Sequence, residues 1–466
     1  MATFVFLLII AASLVVALRA KTGHNTQELG EYLVASRHFG SGLFFFLAVG
    51  EIYSLGTMLG FPGGIYSKGI TYGVWFMGYI LLAYPVGYFL NPWIWRAGNI
   101  YNAMTLPDLF KGHFNNRALE LTVTITAVLF MIPWGQLQFT GLIIALHALG
   151  WHLNPVVLSV LAACLAFAYI ASSGIRAPAM VSIIKDILLV AALVVTGVAA
   201  MSSVGVSHIF SAANSHFTNK MTDKELHFSI TTIIFQALGF YMFPFNIPTV
   251  FTAKSPNTIR RSQIIMPLYM LMFPFLVVSA YYALGQNIKL PSANQAFMAA
   301  AIGLLPHWLL GMVAAGAALS GLVVLSGICL SIGPLITRNM IGHLPESTQR
   351  RGAQIVILCY LAFSIAFTLF TPSLMVTLIN TAYFGITQFF PGIMALLFLK
   401  KTSPWAVMAG IICGDILAVS MYLMHVNIGG LNIGFICLLI NIAIVLIGTA
   451  LFPKNDIESV ARKMVA

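Results

Sequence analysis

Long apolar runs follow one another along almost the whole chain, separated by short polar segments, and this alternation sets the expected architecture. A window of about 20 residues, the length of helix that crosses a hydrocarbon core, marks thirteen runs. They lie near 3–18, 41–65, 70–95, 117–148, 155–173, 177–202, 228–252, 260–285, 306–336, 352–371, 373–399, 404–425 and 431–452. The first lacks a basic n-region and a small-residue cleavage site, so it reads as a retained helix and not as a signal peptide. Two runs are interrupted. In the second, Gly50-Glu51 breaks the apolar sequence, Ser54, Gly56 and Thr57 follow within two turns, and Pro62-Gly63-Gly64 closes it. In the seventh, Gly239, Pro244 and Pro248 fall near the middle. Glycine lowers the cost of unwinding and proline leaves a carbonyl without its donor, so both runs are predicted to be broken helices.

The two breaks lie five spans apart. Interruptions at corresponding positions predict two inverted halves of five helices, about 41–202 and 228–399. The expected fold is an all-α polytopic membrane protein with a single transmembrane domain over 1–452. It combines this five-plus-five inverted repeat with one extra N-terminal and two extra C-terminal helices, and 453–466 form a short cytoplasmic tail. Between the third and fourth runs, Thr105, Pro107 and Asp108 suit the start of a short interfacial helix, expected to be a structural connector.

Composition supports the membrane reading. Only 8% of residues are charged and 59% are hydrophobic, whereas a soluble domain carries roughly 25% charged residues. The net charge of +11 does not point to nucleic acid, because the basic residues are spread over short connecting segments and do not share one folded face. Arg37, Arg96, Arg117, Arg176, Arg261, Arg338 and Lys401 fall in alternate connections, together with most other lysines and arginines. The remaining connections carry only Lys68, Lys220, Lys224 and Lys289. By the positive-inside rule the loaded side is cytoplasmic, with the N-terminus outside and the C-terminus inside a plasma membrane. Five cysteines lie in apolar runs without metal-ligand spacing, so no metal or cofactor is expected. No nucleophile-elbow or zinc-protease motif appears, which argues against an enzyme.

The chemistry is expected at the breaks. Unwound backbone at membrane depth persists only where protein buries it or it lines a cavity, and a carboxylate in mid-span costs ~2.5 kcal/mol or more unless it finds a partner. Gly50, Glu51, Tyr53, Ser54, Gln236, Gly239, Phe240, Phe243 and Asn246 are therefore the expected lining of a midplane solute site. Helix N-termini at the breaks favour a carboxylate there. Lys185-Asp186 lies two to three turns inside the sixth run. Adjacent helix positions point about 100° apart, so the two need not pair, and Lys185 either snorkels to the interface or serves a function.

Several motifs carry a family resemblance. Glu31-Tyr32-Leu33-Val34-Ala35-Ser36-Arg37, Gly60-Phe61-Pro62-Gly63, Gly174-Ile175-Arg176-Ala177 and Ala253-Lys254-Ser255 with Ile259-Arg260-Arg261 stand in this order. Gln388-Phe389-Phe390-Pro391-Gly392 follows, before Pro404-Trp405-Ala406. Together, from about 28 to 420, they resemble the sodium:solute symporter family. Ala48-Val49-Gly50-Glu51-Ile52-Tyr53, Lys185-Asp186, Phe243-Pro244 and Leu335-Ile336-Thr337-Arg338-Asn339 are most similar to its monocarboxylate permease branch. The resemblance implies a leucine-transporter-like fold and alternating access. It also implies a site between the broken helices for a small organic solute, a short acid such as lactate, pyruvate or acetate, carried with a cation.

The same resemblance places a sodium site on the carbonyls of Gly50, Tyr53 and Ser320 and on a hydroxyl pair of the ninth run. Here the hydroxyl positions fall on Val323-Val324, which offer sodium no oxygen in place of its water, so the site reads as vestigial. Lys185, one turn deeper than Ser182, lies near that level and supplies a positive charge. Lys185 and Glu51 are therefore the candidate ion-coupling residues, and proton coupling is expected in place of sodium. Other readings stay open: a sodium-coupled solute or amino-acid symporter of the same family, in which Glu51 or Gln236 would accept from the amine; a transporter-like membrane sensor; and a passive pore.

Overall fold

The computed structural model describes residues 1–20, 22, 28–151, 153–217, 220–342, 345–454 and 458–463. Parts of the expected tail, 455–457 and 464–466, lie outside the described residues. Each apolar run is helical. The unbroken spans are α1 (Ala2–Arg19), α5 (Ile70–Ile100), α7 (Arg117–Ala148), α8 (Pro155–Ser173), α9 (Arg176–Val204), α16 (His307–Pro334), α17 (Glu346–Phe370), α20 (Pro404–Leu423) and α21 (Ile433–Leu451). A further span is assembled from α13 (Pro256–Ile265) and α14 (Phe273–Gly285), joined by the tighter turns of Met266–Met272.

Both predicted breaks are present. α3 (Ser41–Ile52) and α4 (Phe61–Lys68, preceded by a wide π-type turn over Gly56–Gly60) bend by 43°. α11 (Asp223–Gly239) and α12 (Asn246–Thr252) bend by 56°. A third break was not expected: the run at 373–399 divides into α18 (Met375–Ile386) and α19 (Phe389–Phe398), bent by 42°. Pro391 lacks the N–H that would continue the α-helical bonding to the Thr387 carbonyl, which instead accepts from Phe390 N–H at 3.0 Å in a tighter turn. Proline alone does not decide the matter, since Pro85, Pro92 and Pro133 lie inside α5 and α7, which remain continuous.

α16 is the central post. The whole of its apolar window is buried, against 22% for the peripheral α1. Its Gly311, Ala314, Ala315, Gly316, Ala317, Ala318 and Gly321 keep the helix thin, so that α7, α9, α1, α17 and α8 pack directly against it, as small residues permit in a bilayer. Short helices that a 20-residue window cannot register connect the spans: α2 (Leu29–Val34), α6 (Leu106–Phe114), α10 (Val206–His216) and α15 (Ala296–Leu304).

One face of the bundle is tied together by its basic residues. The capping box of α6 holds Asp108, whose carboxylate accepts from Arg338 Nε at 2.9 Å and from Asn339 Nδ2 at 2.7 Å. Buried Glu120 accepts from Arg117 at 2.7 Å, and Arg117 also donates to the Asn339 carbonyl at 2.6 Å. The segment expected to be a connector thus fastens α6 and α7 to the end of α16. On the same face Arg176 pairs with Glu31, and Arg37 donates to the carbonyls of Gly98 and Ala103 at 3.0 and 2.8 Å. The described part of the tail folds back here: Val460, in α22 (Val460–Lys463), is fully buried.

Candidate functional site

α3 stays helical through Ile52, so Gly50 and Glu51 lie in its last turn and not in unwound chain. The helix is left at Tyr53, whose φ of −92° and ψ of 85° turn the backbone aside. Ser54 Oγ then accepts from Gly56 N–H at 3.2 Å and caps the next turn. The bend frees carbonyls, and a lysine satisfies them. Lys185 Nζ donates to the Tyr53 carbonyl at 2.9 Å and to that of Gly50 at 3.3 Å. Its side chain is 0% exposed and does not snorkel. It also forms an ion pair with Asp186 at 2.6 Å: neighbouring positions do pair here, because the lysine stem is long enough to close the angle between them. Tyr269 lies against the same carboxylate and stacks on Tyr53, with ring centroids 5.1 Å apart.

α3, α9 and α16 converge on Gly50. A Cβ there would stand 2.7 Å from Ser182 Oγ and 3.5 Å from a methyl of Val323, so only glycine permits the approach. Val323 and Val324 are fully buried, and Val323 presents a methyl where the family resemblance implies a hydroxyl. The Ser320 hydroxyl donates within its own helix, to Gly316 at 2.8 Å. The lysine thus reaches the Gly50 and Tyr53 carbonyls, while the hydrogen bond of the Ser320 hydroxyl stays within α16.

The second break has its own internal filler. Asn246 Nδ2 donates to the Phe240 carbonyl at 2.7 Å, so this expected lining residue spends its amide closing the bend. Glu51 accepts from Thr249 Oγ1 at 2.8 Å, and its other oxygen is buried with no partner. Glu51 and Asn246 share a narrow cleft with Asn91, Tyr241 and Gln263. Gln236, Gly239 and Phe243 turn instead toward α18 and α7. Gln236 Nε2 donates to Asn380 Oδ1 at 2.5 Å. A Cβ on Gly239 would stand 2.0 Å from Thr387 Oγ1. The Phe243 ring packs on Trp134 and Tyr383, at 4.7 and 4.9 Å between centroids, and Phe240 packs on Tyr79 at 6.0 Å.

This second group brings in residues that sequence reasoning missed. Trp134 Nε1, both amide atoms of Gln138, Gln236 Oε1 and Thr387 Oγ1 are all buried without a hydrogen-bond partner. Trp134 and Gln138 are one turn apart on a single face of α7, and Thr387 sits in the third break. Buried polar atoms in folded proteins are nearly always paired, and leaving one unpaired costs about 1–3 kcal/mol. Those of Trp134, Gln138, Gln236 and Thr387 are the candidates for the polar face of a ligand site. The available signal was Gln136 and Gln138 in an otherwise apolar run, but only packing shows that Gln136 is satisfied, donating to Thr371 O at 2.6 Å, and that Gln138 is not.

Above this set opens a cavity of about 530 Å³ lined by Lys68, Tyr72, Trp75, Lys224, Phe228 and Asn380, among others. An aromatic layer separates the two: Trp75 meets Tyr79 at 6.1 Å and Tyr79 meets Tyr383 at 5.7 Å.

The comparisons agree with this architecture. The model of the sodium:solute symporter family matches residues 32–414. The uncharacterized symporter YhjB of Bacillus subtilis (strain 168) is 27% identical over 463 residues, covering 94% of each chain. A monocarboxylate transport permease protein of Rhizobium johnstonii is 29% identical over 348 residues, covering 73% of this chain and 70% of its own. Among solved structures, a substrate-bound, outward-open Na+-coupled sialic acid symporter aligns with a TM-score of 0.81 over 98% of this chain and 99% of its own, at 16% identity. That last likeness is one of fold.

Proposed function

We propose, from the premise that this chain belongs to the sodium:solute symporter family and is a cation-coupled solute symporter of that fold, that it takes up a short monocarboxylate with protons in place of sodium. The face bearing Arg37, Arg117, Arg176 and Arg338 is cytoplasmic in this reading, as the excess of Lys and Arg favours, and the membrane is the plasma membrane. The observation that carries the proposal is the Lys185 ammonium on the carbonyls of Gly50 and Tyr53. A sodium ion on the same carbonyls would lie within about 4 Å of that ammonium. Taken alone, like charges at that separation repel by about 4 kcal/mol at an effective dielectric of about 20, a repulsion that the Asp186 carboxylate paired with the lysine offsets in part. The buried methyl of Val323 beside Gly50 gives the ion no compensating oxygen.

Coupling follows from the bonds of the lysine. A protonated Lys185 donates three hydrogen bonds and accepts none, so it clasps the end of α3 to α9. Loss of the proton weakens the clasp and lets the break move against α9 and α16. Glu51, with one oxygen bonded to Thr249 and the other unpartnered, is the second proton candidate. The solute binds where the polar atoms lack partners. Its carboxylate accepts from Trp134 Nε1–H, the Gln138 amide and the Thr387 hydroxyl, and its short carbon chain packs on Phe243 and Tyr383. Gly50, Tyr53, Ser54, Gln236, Gly239 and Phe240 shape the surrounding breaks.

A sodium-coupled reading is favoured by the family description. The solute class has a direct test in proteoliposomes containing the purified protein. Labelled acetate, lactate and pyruvate should be taken up and should compete with one another, while their amides fail to compete. Uptake of amino acids with no effect of these acids would move the protein to the amino-acid reading, with Gln236 Oε1 as an acceptor for the amine.

A further inference from the structure

The cavity above the aromatic layer has no part in the midplane chemistry, yet its charge is unusual for this chain. Two of the few basic residues on its face line it, Lys68 and Lys224. Lys68 is the last residue of α4, at the negative end of that helix dipole, and its ammonium lies 4.5 Å above the centre of the Tyr72 ring. Lys224 stands one turn above Phe228 on α11, and Phe228 packs on Trp75. The two lysines thus flank the mouth of a cavity whose walls are aromatic, with Asn380 at its floor. Among the described residues, the ion pairs involve other cations and leave both lysines without a carboxylate partner. The one acid in the lining, Glu225, is turned to the helix start, accepting from Thr222 N–H and Oγ1 at 2.8 and 2.9 Å; it keeps its charge, and the two lysines outweigh it.

We propose that this cavity is a second, outer carboxylate subsite, in which Lys68, assisted by Lys224, binds the anionic solute before the aromatic layer admits it to the midplane. The inference rests on the reading that the solute is a carboxylate arriving from this face. Its physical content is simple. A concave, partly apolar mouth with unpaired cations raises the local concentration of small anions, and the effect fades with ionic strength. The ligand class is a small monoanion with an apolar end: the carboxylate meets Lys68, and the carbon chain lies on Tyr72, Trp75 and Phe228. The subsite acts on capture and leaves the chemistry of coupling to the midplane, so its loss changes KM and not kcat.

The test is initial uptake of labelled acid by the full-length protein in proteoliposomes, over a range of solute concentrations, at low and high concentrations of an inert salt. Lys68→Gln should raise KM about fourfold at low salt, the Boltzmann weight of one unit charge met at about 5 Å in water. It should leave kcat unchanged and reduce the salt dependence of KM. Lys68→Arg should restore both. A wild-type KM that rises with salt, with Lys68→Gln indistinguishable from wild type, would overturn the subsite and leave the carboxylate reading standing. A fall in kcat alone would also overturn it, by making Lys68 part of the gating movement. No uptake of acids by the wild type would overturn the underlying reading itself.

Discussion

Lys185→Ala abolishes gradient-driven accumulation, so that labelled solute only equilibrates across the membrane. Three effects act together. The Gly50 and Tyr53 carbonyls lose their donor, at about 1–3 kcal/mol for each group left buried and unsatisfied. Asp186 is left as an uncompensated buried charge, and breaking a buried pair in this way costs about 3–5 kcal/mol. The clasp between α3 and α9 is lost. Because these penalties are large enough to impair folding, the informative variant is Lys185→Ala with Asp186→Asn, which removes the stranded charge. It should reach the membrane in normal amount and still fail to accumulate solute. Lys185→Arg keeps a charge that does not deprotonate and should hold the protein in one state. Asp415, on α20 outside both repeats, accepts from Thr126 Oγ1 at 2.8 Å, and Asp415→Asn should leave accumulation largely intact. Wild-type accumulation by the double variant, at wild-type expression, would make Lys185 a structural ammonium and send the proton elsewhere.

Gln138→Leu raises the KM for the transported acid at least about tenfold, a loss of about 1.4 kcal/mol, yet does not destabilise the protein. The two halves of this prediction have opposite origins, and together they are diagnostic. In the absence of solute both amide atoms of Gln138 are buried without partners, a penalty that leucine of similar size removes. Thermal unfolding in detergent should therefore be unchanged or shifted upward. With solute bound, the amide is a donor to the carboxylate, and leucine cannot replace it. Trp134→Phe should behave alike, since it keeps the ring that packs on Phe243 and loses only the N–H. A Gln138→Leu protein that is less stable and transports with an unchanged KM would show that Gln138 serves the fold.

How far the sequence reaches can be judged from the three breaks. The first two were legible because Gly50 with Glu51, and Gly239 with Pro244 and Pro248, interrupt apolar runs with residues that cannot sit there without consequence. The third was hidden: Thr387-Gln388 is a mild interruption, and Pro391 has the same appearance as Pro85, Pro92 and Pro133, which α5 and α7 absorb. The depth of Lys185 was legible from counting residues. Its pairing with Asp186 was not, because a 100° separation at the backbone says nothing of where a four-carbon stem can reach. Glu51 was expected in unwound chain, but α3 keeps its hydrogen bonds through Ile52, and the bend begins at Tyr53. Gln138 and Trp134 stayed silent because an unpaired amide is a property of packing, and no pattern along α7 marks it.

The central claim is that protons, and not sodium, drive uptake, and imposing the two gradients separately on proteoliposomes tests it most directly. With an inward proton gradient and no sodium, labelled acid should accumulate above its external concentration, and replacing choline or potassium by sodium should change nothing. The same should hold for the Val323→Ser, Val324→Thr protein, in which hydroxyls return but Lys185 still repels the ion. Accumulation that requires an inward sodium gradient, persists without a proton gradient at neutral pH and carries net positive charge inward would contradict the account.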